Sequence, residues 1–169
     1  NWKEVPSYVN GKVVNKFTRK SETPKAIAFE MWHTPMAYTL ENDVLTNAAA
    51  QVLSMVYLKS IREDASAAYS VSANGSLRRL GNKAIAVVQG YCPMDPEKSE
   101  LALKLLAEGI KDNTVKMDAD KVQKVKDFML KNAELSAKSN THWMDVLDEY
   151  IWTGIDFQTG YKAAVEGLT

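Results

Sequence analysis

Between Leu40 and Ile61 the chain carries apolar residues almost all the way round a helical cylinder. Leu40, Val44, Leu45, Ala48, Ala49, Val52, Leu53, Val56 and Ile61 recur at helical spacing, and Met55, Tyr57 and Leu58 widen the stripe. A surface helix keeps a polar face for water, so a helix this apolar is expected to lie centrally and largely buried. Thr39 stands at its start, where a hydroxyl can accept from a free first-turn amide. The chain's 169 residues are enough for one domain with a sizeable core around such a helix.

The flanking segments read as strands before the helix and strands then helices after it. Lys12–Arg19 is a candidate strand of mixed pattern, and Ser21-Glu22-Thr23-Pro24 is a turn signal. Ala26–Trp32 follows with Ile27, Phe29 and Met31 on one side, so the two strands are expected to pair as an antiparallel hairpin. Beyond the long helix, Tyr69–Leu77 and Lys83–Tyr91 read as two further strands, with Asn74-Gly75 and Gly81 taken as turn glycines. Asp95 and Pro96 then open a helix whose inner face is assigned to Leu101, Ala102 and Leu105, fraying around Gly109–Thr114. Asp118 caps the next helix, in which Val122, Val125, Phe128, Met129 and Leu135 keep helical spacing. A helix from about His142 to Thr153 has Trp143, Leu147, Tyr150 and Ile151 as its apolar side, and Gly154 stops it. A last short helix falls between Phe157 and Leu168. The order argues for an α+β domain: a mainly antiparallel sheet of four or more strands with helices packed on one face. Residues 1–22 form an N-terminal arm, including Trp2 and Pro6, with the first strand. Residues 23–169 form the body, and the two make one structural domain. The chain is expected to be a fragment of a larger protein.

Composition removes several function classes. Lys plus Arg and Asp plus Glu are equal at 21 each, so no basic excess points to nucleic acid or an anionic membrane surface. The apolar runs are too short to span a bilayer. The lone Cys92 excludes an intrachain disulfide framework. His33 and His142 are the only histidines, and neither has a second ligand at helical spacing. Glu30 and His33 face opposite sides of a strand. No Gly-x-Ser-x-Gly elbow and no phosphate-binding glycine loop is present. Cys92, beside a proline at a strand end, reads as a small core residue. Met31, Met36, Met55, Met129 and Met144 read as core fillers. By itself the chain does not look like a complete enzyme.

What remains is the junction Ile61-Arg62-Glu63-Asp64-Ala65-Ser66-Ala67-Ala68-Tyr69-Ser70-Val71, where the long helix ends. Arg62 supplies a fixed guanidinium fork and Tyr69 a phenolic donor, a pair suited to a carbonyl or carboxylate. Two bland explanations compete: a cation complementing a helix C-terminus, and a strand aromatic filling a sheet face. The segment resembles the Arg-Glu-x-Leu-Gly-x-Ala-Tyr-Ser-Val stretch of M16 metallopeptidases, the pitrilysin, insulysin and processing-peptidase group. The Tyr38-Thr39-Leu40-Glu41-Asn42 helix start and the Cys92-Pro93-Met94-Asp95-Pro96-Glu97 junction extend the likeness over roughly Thr23–Thr169. The chain departs from the pattern at Ala65 and Ser66, where the family usually has leucine and glycine.

The resemblance implies the C-terminal, non-zinc domain of an M16-like peptidase. It implies that Arg62 orients a peptide substrate and that Tyr69 donates to the scissile-side carbonyl as it becomes an oxyanion. The inverted zinc motif His-x-x-Glu-His has no match here. No metal site or cofactor is therefore assigned to this chain, and zinc is expected in an N-terminal half or partner subunit. Bacterial relatives point to the periplasm or cell envelope. The alternative is a catalytically inactive scaffold or protein-interaction domain of the same fold. A stand-alone ligand-binding domain has nothing specific in its favour.

Overall fold

The long apolar segment forms α1 (Leu40–Tyr57), and every other layer is built on it. Thr39 caps it, its Oγ1 accepting from the Asn42 amide at 3.3 Å. Glu41 and Asp43 add negative charge to the first turn, where the helix dipole favours it. The structure, a computed structural model, describes residues 8–81, 83–115 and 117–169. Trp2 and Pro6 of the expected arm lie outside the described residues.

The described strands are β1 (Ala26–Pro35), β2 (Ser72–Leu80) and β3 (Lys83–Met94), all antiparallel in the order β1-β3-β2. Phe29 and Ser72 both pair with Tyr91 of the central strand. The α+β class holds, but the sheet has three described strands rather than four or more. Lys12–Arg19 is irregular and forms no hairpin with β1, which pairs with β3 instead. Its sequence explains why: Val13 and Val14 are adjacent and cannot share a strand face, and both stay exposed together with Phe17. The arm is tied down by other means. Tyr8 stacks on His33, whose ring nitrogen meets the Val9 carbonyl at 3.1 Å.

After β3 a short 3₁₀ turn, Pro96–Lys98, leads into α2 (Ser99–Val115). It is followed by α3 (Ala119–Ser136), α4 (Asn140–Thr153) and α5 (Tyr161–Glu166). Asp118 caps α3 by accepting from the Asp120 amide, and Gly154 ends α4 in the left-handed region. α2 runs as a continuous helix to Val115 with no break at Gly109. Its inner face is Ala102 and Leu106, with Leu105 beside them, whereas Leu101 points outward.

Two cores share α1. The first joins Leu53 and Tyr57 of α1 to Ala28, Ala73 and Cys92 of the sheet and Ala102 and Leu106 of α2. The second joins Leu40, Val44, Ala48 and Val52 to Val125, Met129 and Val165 of α3 and α5. Each fully buried side chain of this size contributes roughly 1.5–3 kcal/mol. The fully buried Tyr57 sits where the first core is tightest. Its hydroxyl meets the Glu30 carboxylate on β1 and lies 3.2 Å from the Leu106 carbonyl on α2. Burial, and then Glu30, push its ionisation well above the ordinary tyrosine range, so it stays a neutral donor. Gly109 leaves space for that ring: a Cβ there would stand 2.7 Å from Tyr57 Cε1.

Gly75 is not a turn glycine. It lies within β2, directly against α1, and a Cβ there would run into the Thr46 carbonyl oxygen and stand 3.0 Å from Ala50 Cβ. Its lack of a side chain lets the strand approach the helix backbone. Gly81 does occupy the turn between β2 and β3, at φ +62° with open space around it. Gly75→Ala should therefore lower the unfolding free energy by about 2–3 kcal/mol. Gly81→Ala should cost about 1 kcal/mol, from backbone strain alone. Urea unfolding of the two variants checks the ordering, and equal losses would contradict the close helix–strand approach.

Candidate functional site

The site grows out of the way α1 ends. From Leu58 to Asp64 the helix widens into a π-helical segment, in which the Ala65 amide reaches back to the Ser60 carbonyl at 3.2 Å. Each such turn holds one residue more than an α-turn. Ser66 then adopts φ +47°, the only positive φ at a non-glycine among the described residues. The Ala67 amide returns to the Ile61 carbonyl at 2.7 Å. This closes the helix as a Schellman-type cap does, but around a wider ring. Ile61 and Ala67 are both buried, so the reversal is pinned from below while the residues above it stay in solvent.

Arg62 belongs to the π segment and Tyr69 to the irregular stretch before β2. The structure brings them together: the guanidinium carbon lies 5.8 Å from the Tyr69 ring centroid. Tyr69 is 88% exposed, so it is not a strand aromatic filling a sheet face, and β2 begins at Ser72 rather than at Tyr69. Arg62 does fall in the last turn of its helical segment, where a cation complements the dipole. That role leaves its donors free to face outward.

The pair stands on the rim of an open cleft of about 790 Å³. Ile27, Tyr91 and Pro93 give it an apolar floor, and Lys25, Asp95 and Lys98 line its edge. Ile27, Phe29 and Met31 share one side of β1 as the alternation predicts. That side is the open face of the sheet, so all three are exposed. The arrangement offers an apolar strip, a guanidinium fork and a phenolic hydroxyl along one edge. These are the elements needed to lay down an extended chain and bind its carbonyl or carboxylate oxygens.

Lys98 was invisible to sequence reasoning. Its ammonium donates to the Ser66 carbonyl at 2.8 Å across 32 residues of sequence. Lys25 and Asp95 likewise reach the cleft only through strand register and the turn after β3. No spacing rule links them to Arg62.

The other candidate groups are accounted for. Cys92 is fully buried and its thiol is pushed up by burial, as expected of a core cysteine. The His142 ring bonds Gln158 and meets Trp143 edge-on, and the Trp143 indole donates to the Ala137 carbonyl. Both therefore act in packing at a helix start. Among the described residues no three His, Cys, Asp or Glu side chains stand close enough to hold a metal ion. The rings of His33 and His142 are each hydrogen-bonded within the fold. Among the described residues no helix is long and apolar enough to cross a membrane. The expected apolar side of α4 is not buried: Trp143, Leu147, Tyr150 and Ile151 are all exposed, as are Phe128 and Leu135 of α3. Of the methionines read as fillers, Met129 is buried and Met55 packs on the second core, but Met31 and Met144 are exposed.

No protein-family model matches the sequence, and no curated protein matches it. Solved structures do. The periplasmic protease PqqL from Escherichia coli superposes with a TM-score of 0.66 at 18% identity, covering 88% of this chain. The ferredoxin protease FusC, solved as a mutant in complex with Arabidopsis ferredoxin, gives 0.68 at 16% identity over 84%. An inactive zinc-protease-type peptidase domain from Bordetella parapertussis gives 0.65 at 16% identity over 90%. The fold is that of an M16-type peptidase domain. The chain spans only 17% of the PqqL chain and 16% of the FusC chain, but 81% of the Bordetella one.

The positive φ at Ser66 makes that position sensitive to side-chain branching. Ser66→Val should destabilise the chain by about 1–3 kcal/mol, because a β-branched residue is poorly tolerated there. Thermal unfolding measures it; a variant as stable as the parent would mean that the reversal does not use the left-handed region.

Proposed function

We propose that this chain is the substrate-binding, non-metal part of an M16-like zinc-dependent peptidase. Arg62 orients the peptide, and Tyr69 donates its phenolic proton in a hydrogen bond to the scissile-side carbonyl as negative charge builds on that oxygen. The observation that carries the reading is the exposed Arg62–Tyr69 pair on the rim of an open cleft, in a fold shared with zinc-protease domains. A tyrosine so exposed has little to do for stability, and its hydroxyl is free for a ligand. The sequence has no His-x-x-Glu-His motif, and among the described residues no three His, Cys, Asp or Glu side chains stand together, which supports a metal and general base held by an N-terminal half or a partner subunit. PqqL is a periplasmic protease; by analogy we place this protein in the bacterial periplasm or cell envelope.

A second reading has its own support. One structural neighbour is an inactive peptidase domain, so the same fold also occurs without catalysis. In that case the chain serves as a scaffold or interaction domain. A His-x-x-Glu-His motif in the same polypeptide or in a stable partner selects the peptidase reading, and its absence from both selects the scaffold.

The purified chain should bind no stoichiometric zinc and cleave no peptide unaided. Metal analysis after dialysis tests the first point, and tight zinc at one equivalent would sink the proposal. In the assembled enzyme, Tyr69→Phe should lower kcat by about 10²-fold or more with little change in KM, because the bond strengthens only in the transition state. An unchanged kcat would remove Tyr69 from the chemistry.

A further inference from the structure

We infer that Lys98 is a positioning residue for the Arg62–Tyr69 pair, holding the left-handed reversal at Ser66 that brings Tyr69 to Arg62 at the cleft. The inference rests on the reading of that pair as substrate-contacting and adds the residue that sets its geometry.

Three observations converge on Lys98. The first is the contact: its ammonium donates to the carbonyl oxygen of Ser66, the residue that adopts φ +47°. A left-handed non-glycine residue is strained, and such strain persists only where surrounding contacts over-determine it. The resemblance to M16 peptidases puts a glycine at this position, which would need no such support. The second is the place of Lys98 in its own element. It ends the Pro96–Lys98 turn that leads directly into α2, and cations are disfavoured at helix N-termini. Its charge therefore does nothing for α2. The third is the framework behind it. The Lys98 amide donates to the Asp95 carbonyl at 3.0 Å, and Pro96 fixes the start of the turn. The ammonium is thus presented from a rigid base.

Below the reversal, Ala67, Ala68 and Val71 are buried in the first core and the Ala67 amide bonds Ile61, but above it Ser66, Tyr69 and Ser70 are exposed and belong to no strand. A charge-assisted hydrogen bond from a lysine 32 residues away links this stretch to α2. With the bond in place, Tyr69 stays under the Arg62 guanidinium. Without it, the loop from Ser66 to Ser70 samples other conformations and the pair separates.

The experiment uses the 169-residue chain, with amide hydrogen exchange as the readout. Lys98 is exposed, so Lys98→Met leaves both cores intact. Exchange at the Ala67 amide, which donates to the Ile61 carbonyl across the reversal, should then quicken by about tenfold, while amides in α1 keep their native rates. Ser66→Gly added to Lys98→Met should restore much of the protection, because glycine adopts the left-handed conformation unaided. Lys98→Arg, which keeps a cationic donor, should resemble the native chain. Unchanged exchange in Lys98→Met, or no recovery with Ser66→Gly, would overturn the inference. The same variants are titrated with N-acetyl-dialanine, whose free carboxylate probes the pair, following the Arg62 and Tyr69 side-chain resonances. Lys98→Met should weaken the response several-fold, and Ser66→Gly should recover it. If the native chain shows no response, the reading of Arg62 and Tyr69 as a substrate pair fails, while the exchange data still decide the role of Lys98.

Discussion

The structure depends on α1 being buried on two sides at once. Leu53 and Tyr57 hold the sheet and α2, while Leu40, Val44, Ala48 and Val52 hold α3 and α5. Neither core is complete without this helix, so loosening it releases both. The sheet presses close enough to reach the helix backbone at Gly75, and α2 close enough to leave no room for a side chain at Gly109. Tyr57 closes the arrangement by joining β1, α1 and α2 through one hydroxyl. A buried hydroxyl without partners would cost about 1–3 kcal/mol, so the Glu30 and Leu106 contacts are what make an aromatic tolerable there.

The same helix sets the functional corner. Its C-terminal end is held in the core by the fully buried Tyr57 and Ile61, yet the chain must leave it and turn back to start β2. The π-helical segment and the reversal at Ser66 accomplish this within a few residues. A rigid base with an irregular, solvent-facing segment above it is where binding groups are commonly held, since the scaffold positions them and the loop presents them. Arg62 comes from the rigid side and Tyr69 from the loop side. Their contact is a cation–π approach across the two. At an exposed site it contributes about 0.5–1 kcal/mol, enough to bias the Tyr69 ring without locking it.

Features governed by local chemistry were legible in the sequence. The central helix, the caps at Thr39 and Asp118 and the stop at Gly154 follow from residue types at fixed offsets. The likeness around Arg62 and Tyr69 pointed to two side chains that the structure brings close together. What failed was inference from periodicity to burial. Ile27, Phe29 and Met31 do share a strand face, and Trp143, Leu147, Tyr150 and Ile151 were grouped on one side of α4, yet neither set is covered. Spacing says which side chains point together; it does not say whether another layer lies against them. The strand assigned to Lys12–Arg19 also failed: β1 keeps an unpaired edge among the described strands, yet the segment does not pair with it, and Val13, Val14 and Phe17 stay exposed. Gly75 was misread because a glycine that admits a helix backbone looks, in sequence, like one that makes a turn. The Lys98–Ser66 bond depends on the folded path of two distant segments and leaves no local trace.

Ser66 shows how a departure from a family pattern acquires physical content. Ser66 takes the left-handed conformation that glycine adopts without strain. A side chain there adds strain on the order of 1 kcal/mol or somewhat more. The surroundings offset that cost through two bonds on either side of the strained residue, one from the Ala67 amide and one to the Ser66 carbonyl. A glycine at this point would form the reversal without strain. Serine carries the strain, and the Lys98 bond to its carbonyl helps to offset it. The Arg62–Tyr69 edge is thereby linked, through the Lys98–Ser66 bond, to the turn that leads into α2.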